Sequence, residues 1–177
     1  MHVDHADQRR SEGARNMAKV RKVAKKYTAG LKKSTAAKRK AEIRKRSTGK
    51  VKGKAKYKPL AGDSKAKTKP SKYTKSAGTL RKAIQEASKN VQTDSTKTRF
   101  IRGTAKATGI PTAIIRKVYE KGEAAWSVGH RPGATQPQWA KARVYSFLQK
   151  GKTATTADAM LYVKAKKEQT GTKFKLK

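Results

Sequence analysis

Apolar residues recur at helical spacing in the second half of this chain and hardly at all in the first. From Thr79, the run TLRKAIQEASKN sets Leu80, Ala83, Ile84 and Ala87 on one helical face, with Asn90 suited to its end. A polar break at Gln92 to Ser95 separates this helix from two further patterns. Residues 97–107 carry Phe100, Ile101, Thr104 and Ala105, and residues 111–121 carry Ile114, Ile115, Val118 and Tyr119. Gly109 between them permits left-handed backbone, and Pro111 fits a first helical turn. Residues 123–126 either extend this helix past Gly122 or form a short piece after it. Gly129-His-Arg-Pro-Gly133 is a turn, with two glycines and a proline in five residues. Thr135-Gln-Pro-Gln138 reads as a capping box opening a helix that runs to about Lys150 and stops at Gly151. Trp139, Ala142, Val144, Phe147 and Leu148 give that helix its apolar side. A second cap, Thr155-Thr-Ala-Asp158, opens a last helix carrying Met160, Leu161 and Val163.

Before residue 79 the periodicity is missing. Residues 17–46 are rich in good helix formers and Ser34 is placed to cap, yet Ile43 is almost the only large apolar residue after Leu31. A helix without an apolar face gains little from packing, and adjacent like charges weaken it. This stretch is therefore expected to be disordered or nascent alone and to order on a polyanion. Residues 47–78 alternate lysine with small residues, hold Pro59, Pro70 and four glycines, and read as an extended basic segment. The pattern predicts a mainly α protein. It has a flexible or partner-ordered basic arm (1–78), a small helical domain (79–168) and a basic tail (169–177).

Within the domain, the pair around Gly109 resembles a helix-turn-helix. Ala105, Gly109, Ile110, Ile115 and Val118 match the spacing that a short turn at a wide crossing angle demands. Used on DNA, such a pair would expose Thr112, Ala113, Arg116 and Lys117 on its second helix. Thr108 is polar where the motif takes a large apolar residue, and Gly103 weakens the first helix. The alternative is two packed helices with no groove-reading role.

Charge then decides the class of partner. The 177 residues hold 47 Lys+Arg against 11 Asp+Glu, a formal net charge of +36. Residues 1–78 contribute +21 and residues 79–177 +15. Self-repulsion at this density opposes compaction, and a polyanion relieves it. The apolar fraction is 34%, against about 45–50% for globular domains with glycine included. Zero cysteines exclude disulfides and cysteine-ligated metal. No apolar run approaches the ~20 residues that span a bilayer.

Candidate anion-binding residues on the arm are Lys38, Arg39, Lys40, Arg44, Lys45, Arg46, Lys52, Lys54, Lys56 and Lys58, with Tyr57 and Tyr73 available for stacking. Arg116 and Lys117 join them from the helical pair. In the turn, His130, Arg131 and the backbone NH groups opening the next helix are placed to converge on one phosphate or carboxylate. Trp126, Trp139 and Phe147 are the expected core anchors. Catalysis at His130 would need a second titratable group. The nearby acids are Glu120, Glu123 and Asp158, and Asp158 has a capping role. With no Walker loop, HExxH or nucleophile elbow, the reading is non-enzymatic, without cofactor, metal or small-molecule substrate. His2, Asp4, His5 and Asp7 read as a frayed terminus rather than a metal cluster.

The run Gly109-Ile-Pro, Lys117-Val-Tyr, Gly122, Ala124-Ala-Trp126, Gly129-His-Arg-Pro-Gly133, Gln138-Trp139, Ala142-Arg-Val-Tyr-Ser-Phe147, Gly151-Lys152, Thr156-Ala-Asp158 resembles an uncharacterised basic domain family. That family occurs in tailed phages, notably of cyanobacteria, and in large DNA viruses of algae. A weaker likeness covers Tyr27…Gly30-Leu31, Lys56-Tyr57…Pro59 and Ser64…Lys69-Pro-Ser-Lys72. The resemblance implies viral origin and a virion-associated role, in the infected cell's cytoplasm or nucleus as well as the particle, and carries no catalytic residue. Two functions follow. One is nucleic-acid binding, to duplex DNA with little sequence preference. The other is a minor capsid protein whose basic arm docks on shell subunits or an anionic membrane.

Overall fold

The computed structural model describes residues 22–176. The N-terminal His/Asp group at residues 2–7 lies outside them. Seven α-helices occur among the described residues: α1 (Lys33–Ser47), α2 (Lys72–Ser76), α3 (Gly78–Lys89), α4 (Thr96–Thr108), α5 (Thr112–Val128), α6 (Gln136–Leu148) and α7 (Ala159–Glu168). Short 3-10 turns lie at Lys25–Tyr27, Gly53–Tyr57 and Lys152–Thr155. The protein is mainly helical, as the pattern requires, and α3 to α6 form where apolar spacing put them. Ile84, Ile101, Ile115, Val118, Val144 and Phe147 are buried in one core. No helix among the described residues is long and apolar enough to cross a membrane.

Two helix-interior glycines are explained by close approach. A Cβ on Gly122 would lie 2.7 Å from Ala140 Cα, so α5 and α6 touch there backbone to backbone. The helix therefore continues through Gly122 to Val128 rather than breaking. At Gly103 a Cβ would lie 2.8 Å from Ser88 Cα, where α4 meets α3. The glycine that weakens a helix in isolation, by about 1 kcal/mol, allows the packing that holds it.

Gly109 caps α4 in left-handed conformation, φ 69°, and Ile110 is buried behind it. Thr108 occupies its apolar position without an unmet group: fully buried, its hydroxyl donates to the Thr104 carbonyl at 2.7 Å. The capping box opens α6 as expected, Thr135 Oγ1 accepting from Gln138 N–H and Gln138 Oε1 from Thr135 N–H at 3.0 Å. At its other end Lys150, not Gly151, takes the left-handed position, φ 51°. Gly151 instead lies under Tyr73 of α2.

The last helix departs from expectation. Asp158 is the residue before α7 but makes no side-chain cap, its carboxylate pairing with Arg143 through two bonds of 2.9 Å. Tyr162 and Ala165 face the core, while Met160 is 83% and Val163 65% exposed.

Both flanking segments are packed where they are described. Leu176 is buried in the core, Gln169 Nε2 donates to the Thr108 carbonyl, and Thr170 N–H donates to the Gly109 carbonyl at 2.9 Å. At the other end α1 forms on the domain. Its inward line is Arg39, Ile43 and Arg46, at the i, i+4, i+7 spacing of one helical face. Ser34 plays no capping part, since the helix starts at Lys33 without a side-chain cap.

Candidate nucleic-acid interface

The turn after α5 does hold an anion, and the anion belongs to the same chain. His130 is fully buried, its ring stacked on Trp126 with centroids 4.2 Å apart and planes 9° apart. Nδ1 faces the Trp126 carbonyl at 3.0 Å, and Nε2 faces Asp63 Oδ2 at 2.8 Å. A carbonyl and an ionised carboxylate only accept, so a ring protonated on both nitrogens donates to each. Trp126 Nε1 donates to the Ala134 carbonyl at 2.6 Å, closing the turn.

Asp63 receives four groups. Besides His130, the backbone N–H of Leu60 donates to Oδ2 at 2.7 Å and that of Gly133 to Oδ1 at 3.0 Å. Arg39 Nη1 donates to Oδ1 at 2.8 Å. Burial alone would push the Asp63 carboxyl up. The hydrogen bonds from His130, Gly133 and Leu60 outweigh it, and the pKa falls to about 2. Gly133 sits at φ 72°, and a Cβ there would overlap the Ala66 carbonyl, so the turn accepts the crossing strand of chain only as glycine.

Two arginines tie α1 to this socket. Arg39 is fully buried; besides Asp63 it donates to the Ala61 carbonyl at 2.9 Å and, through Nη2, to the His130 carbonyl at 2.8 Å. Its Nε is buried without a partner. Arg46 donates to the carbonyls of Lys56 at 2.9 Å, Lys58 at 2.7 Å and Ser127 at 3.3 Å, pinning the Gly53–Tyr57 turn beside the end of α5. Glu42 contributes from the same helix, accepting from Ala61 N–H at 2.8 Å.

Of the cations expected to meet an external anion, Arg39, Arg46 and His130 therefore point inward and spend their charge on the fold. The rest remain available. Lys38, Lys40, Arg44 and Lys45 are exposed on α1, as are Lys52, Lys54 and Lys58 beyond it, with Lys56 half-buried. Tyr57 is 51% exposed at the pinned turn, whereas Tyr73 packs against the core. On α5, Lys117 is exposed and Arg116 half-buried; Arg131 is half-buried beside the socket. Trp126 and Phe147 are buried, but Trp139 is half-buried and meets Tyr27 at 6.0 Å.

Asp63 was missed by the sequence reading. Its one signal is isolation, as the single acid between Glu42 and Glu86 in a lysine-rich stretch.

Fold and site together define a small basic α-helical domain whose N-terminal segment is stapled to it by buried Arg–Asp–His contacts, leaving a fixed cationic surface. The chain belongs to a family of unknown function, DUF5824, whose model matches residues 24–164. That match takes in α1, Asp63 and the turn that receives it. No curated protein and no solved structure matches the chain.

Proposed function

We propose that the protein is a non-enzymatic, virion-associated nucleic-acid-binding protein that holds duplex DNA by its phosphates with little sequence preference. The observation that carries this reading is the division of labour on α1. Arg39, Ile43 and Arg46 face inward, and Lys38, Lys40, Arg44 and Lys45 face solvent on a helix that cannot rotate without breaking its buried bonds. A fixed row of cations meets phosphates without first paying the ordering entropy of a loose chain. The exposed Lys52, Lys54 and Lys58 extend the row. The virion assignment rests on the motif resemblance to phage and algal-virus proteins.

The non-enzymatic reading is supported by the state of His130. Both ring nitrogens are occupied and the residue is fully buried, so no substrate reaches it. Against an arm that threads between shell subunits stands the engagement of residues 39–63 within the domain.

The test is duplex-DNA affinity as a function of salt. Neutralising several phosphates gives log affinity a negative slope against log salt of about 0.9 per contact. A combined Lys40→Ala, Arg44→Ala and Lys45→Ala variant should flatten that slope by about 2–3. Affinity that stays constant across the salt series would remove the proposal.

A further inference from the structure

A second cationic group lies away from α1, around the two aromatics on the outer side of α6. Tyr27 and Trp139 are both half-buried, with ring centroids 6.0 Å apart and planes tilted by 54°. Lys26 Nζ lies 5.2 Å from the Tyr27 ring centroid. Arg131 approaches from the turn before α6 and Lys152 from the 3-10 turn after it. Partial burial, then the charges of these two residues, hold the Lys26 ammonium below its ordinary pKa, and the Arg131 charge also reaches the Tyr27 hydroxyl. Among the described residues none of the three cations shares an ion pair with a carboxylate. Elsewhere the fold answers its inward cations with acids, as Asp63 does for Arg39 and Asp158 for Arg143. Here it gathers three cations and leaves them to repel one another beside exposed aromatic surface. An anion from outside would relieve that repulsion, and a flat apolar group attached to it would cover the rings.

We propose that Lys26, Arg131 and Lys152 hold one backbone phosphate while Trp139 and Tyr27 receive the neighbouring base, so that the site takes a single-stranded segment or frayed end of nucleic acid. The base must be unpaired, because inside a duplex both faces of every base are already stacked. The site rests on the nucleic-acid reading above, but is separate from the α1 row, which needs phosphates only.

Trp126 is buried, hydrogen-bonded and stacked on His130, which leaves Trp139 as the tryptophan a ligand can reach. The experiment titrates the full chain with an oligothymidylate of roughly 10 nucleotides and with a blunt duplex of the same length, reading tryptophan fluorescence and anisotropy. The single strand should quench fluorescence, and Trp139→Phe should abolish most of the quench. Arg131→Ala and Lys152→Ala should each weaken single-strand binding by about tenfold and duplex binding far less. These two substitutions serve even if Trp139→Phe disturbs the fold. If both leave single-strand affinity unchanged while loss of Lys40 and Arg44 lowers duplex affinity, the stacking site is wrong and the α1 reading stands. If neither oligonucleotide binds in a salt-dependent way, both readings fall.

Discussion

His130 Nε2 stands 2.8 Å from Asp63 Oδ2, across 67 residues of chain. With Arg39, 24 residues before the aspartate, the contact forms a buried ionic group whose members come from α1, the following loop and the turn after α5. Removing one member strands the others without charge or hydrogen-bond partners. Asp63→Ala should therefore lower unfolding free energy by about 3–5 kcal/mol, read as a fall in urea midpoint. A midpoint within error of the parent would show that the socket contributes nothing to the fold.

The same carboxylate gives stability a pH signature. The Asp63 pKa is held at about 2 in the folded protein, against about 3.9 in an unfolded chain. A depressed carboxyl contributes stability that is complete above the unfolded value and is lost as pH falls through the folded one. The window thus runs from about pH 4 down to about pH 2, and the contribution is about 2–3 kcal/mol. Urea midpoints taken across that range should fall more steeply for the parent than for Asp63→Asn, which lacks the titrating group.

Glycine substitutions should separate contact from propensity. Gly122→Ala places a methyl 2.7 Å from Ala140 Cα and must force α5 and α6 apart, at about 1–3 kcal/mol. Gly78→Ala, at the start of α3 with open space around it, should instead stabilise by about 0.4–1 kcal/mol. Thermal unfolding of the pair would refute the close-approach argument if both shifted the same way.

Neighbouring cations on α1 should behave oppositely. Arg39→Met leaves Asp63 short of a partner inside the protein and should cost about 3–5 kcal/mol of stability. Lys40→Ala should change stability by less than about 0.5 kcal/mol and reduce the salt slope of DNA binding by about 1. Stability by urea and affinity by anisotropy, measured on both variants, decide the matter.

The legible parts of this fold were those written in local patterns. α3, α4 and α6 follow the spacing of their apolar residues, and the Thr135 capping box and the 129–133 turn are short-range signals that need nothing from the rest of the chain. The illegible part was α1. Its inward line contains two arginines, which in sequence look like solvent-facing charges, and a single isoleucine. Their burial depends on acceptors far along the chain: Asp63, the Ala61 carbonyl and the His130 carbonyl, the last 91 residues from Arg39. The turn was rightly read as an anion receptor, but the anion was Asp63 and the guanidinium Arg39 rather than Arg131.

The sequence by itself determined the helical class, the positions of the apolar helices, the turn between α5 and α6, and a charge of +36 that calls for a polyanion. Only the tertiary structure decided which cations are internal and which face outward. A charged side chain enters the interior when complementary groups are already gathered there, and that gathering joins positions that no local pattern connects.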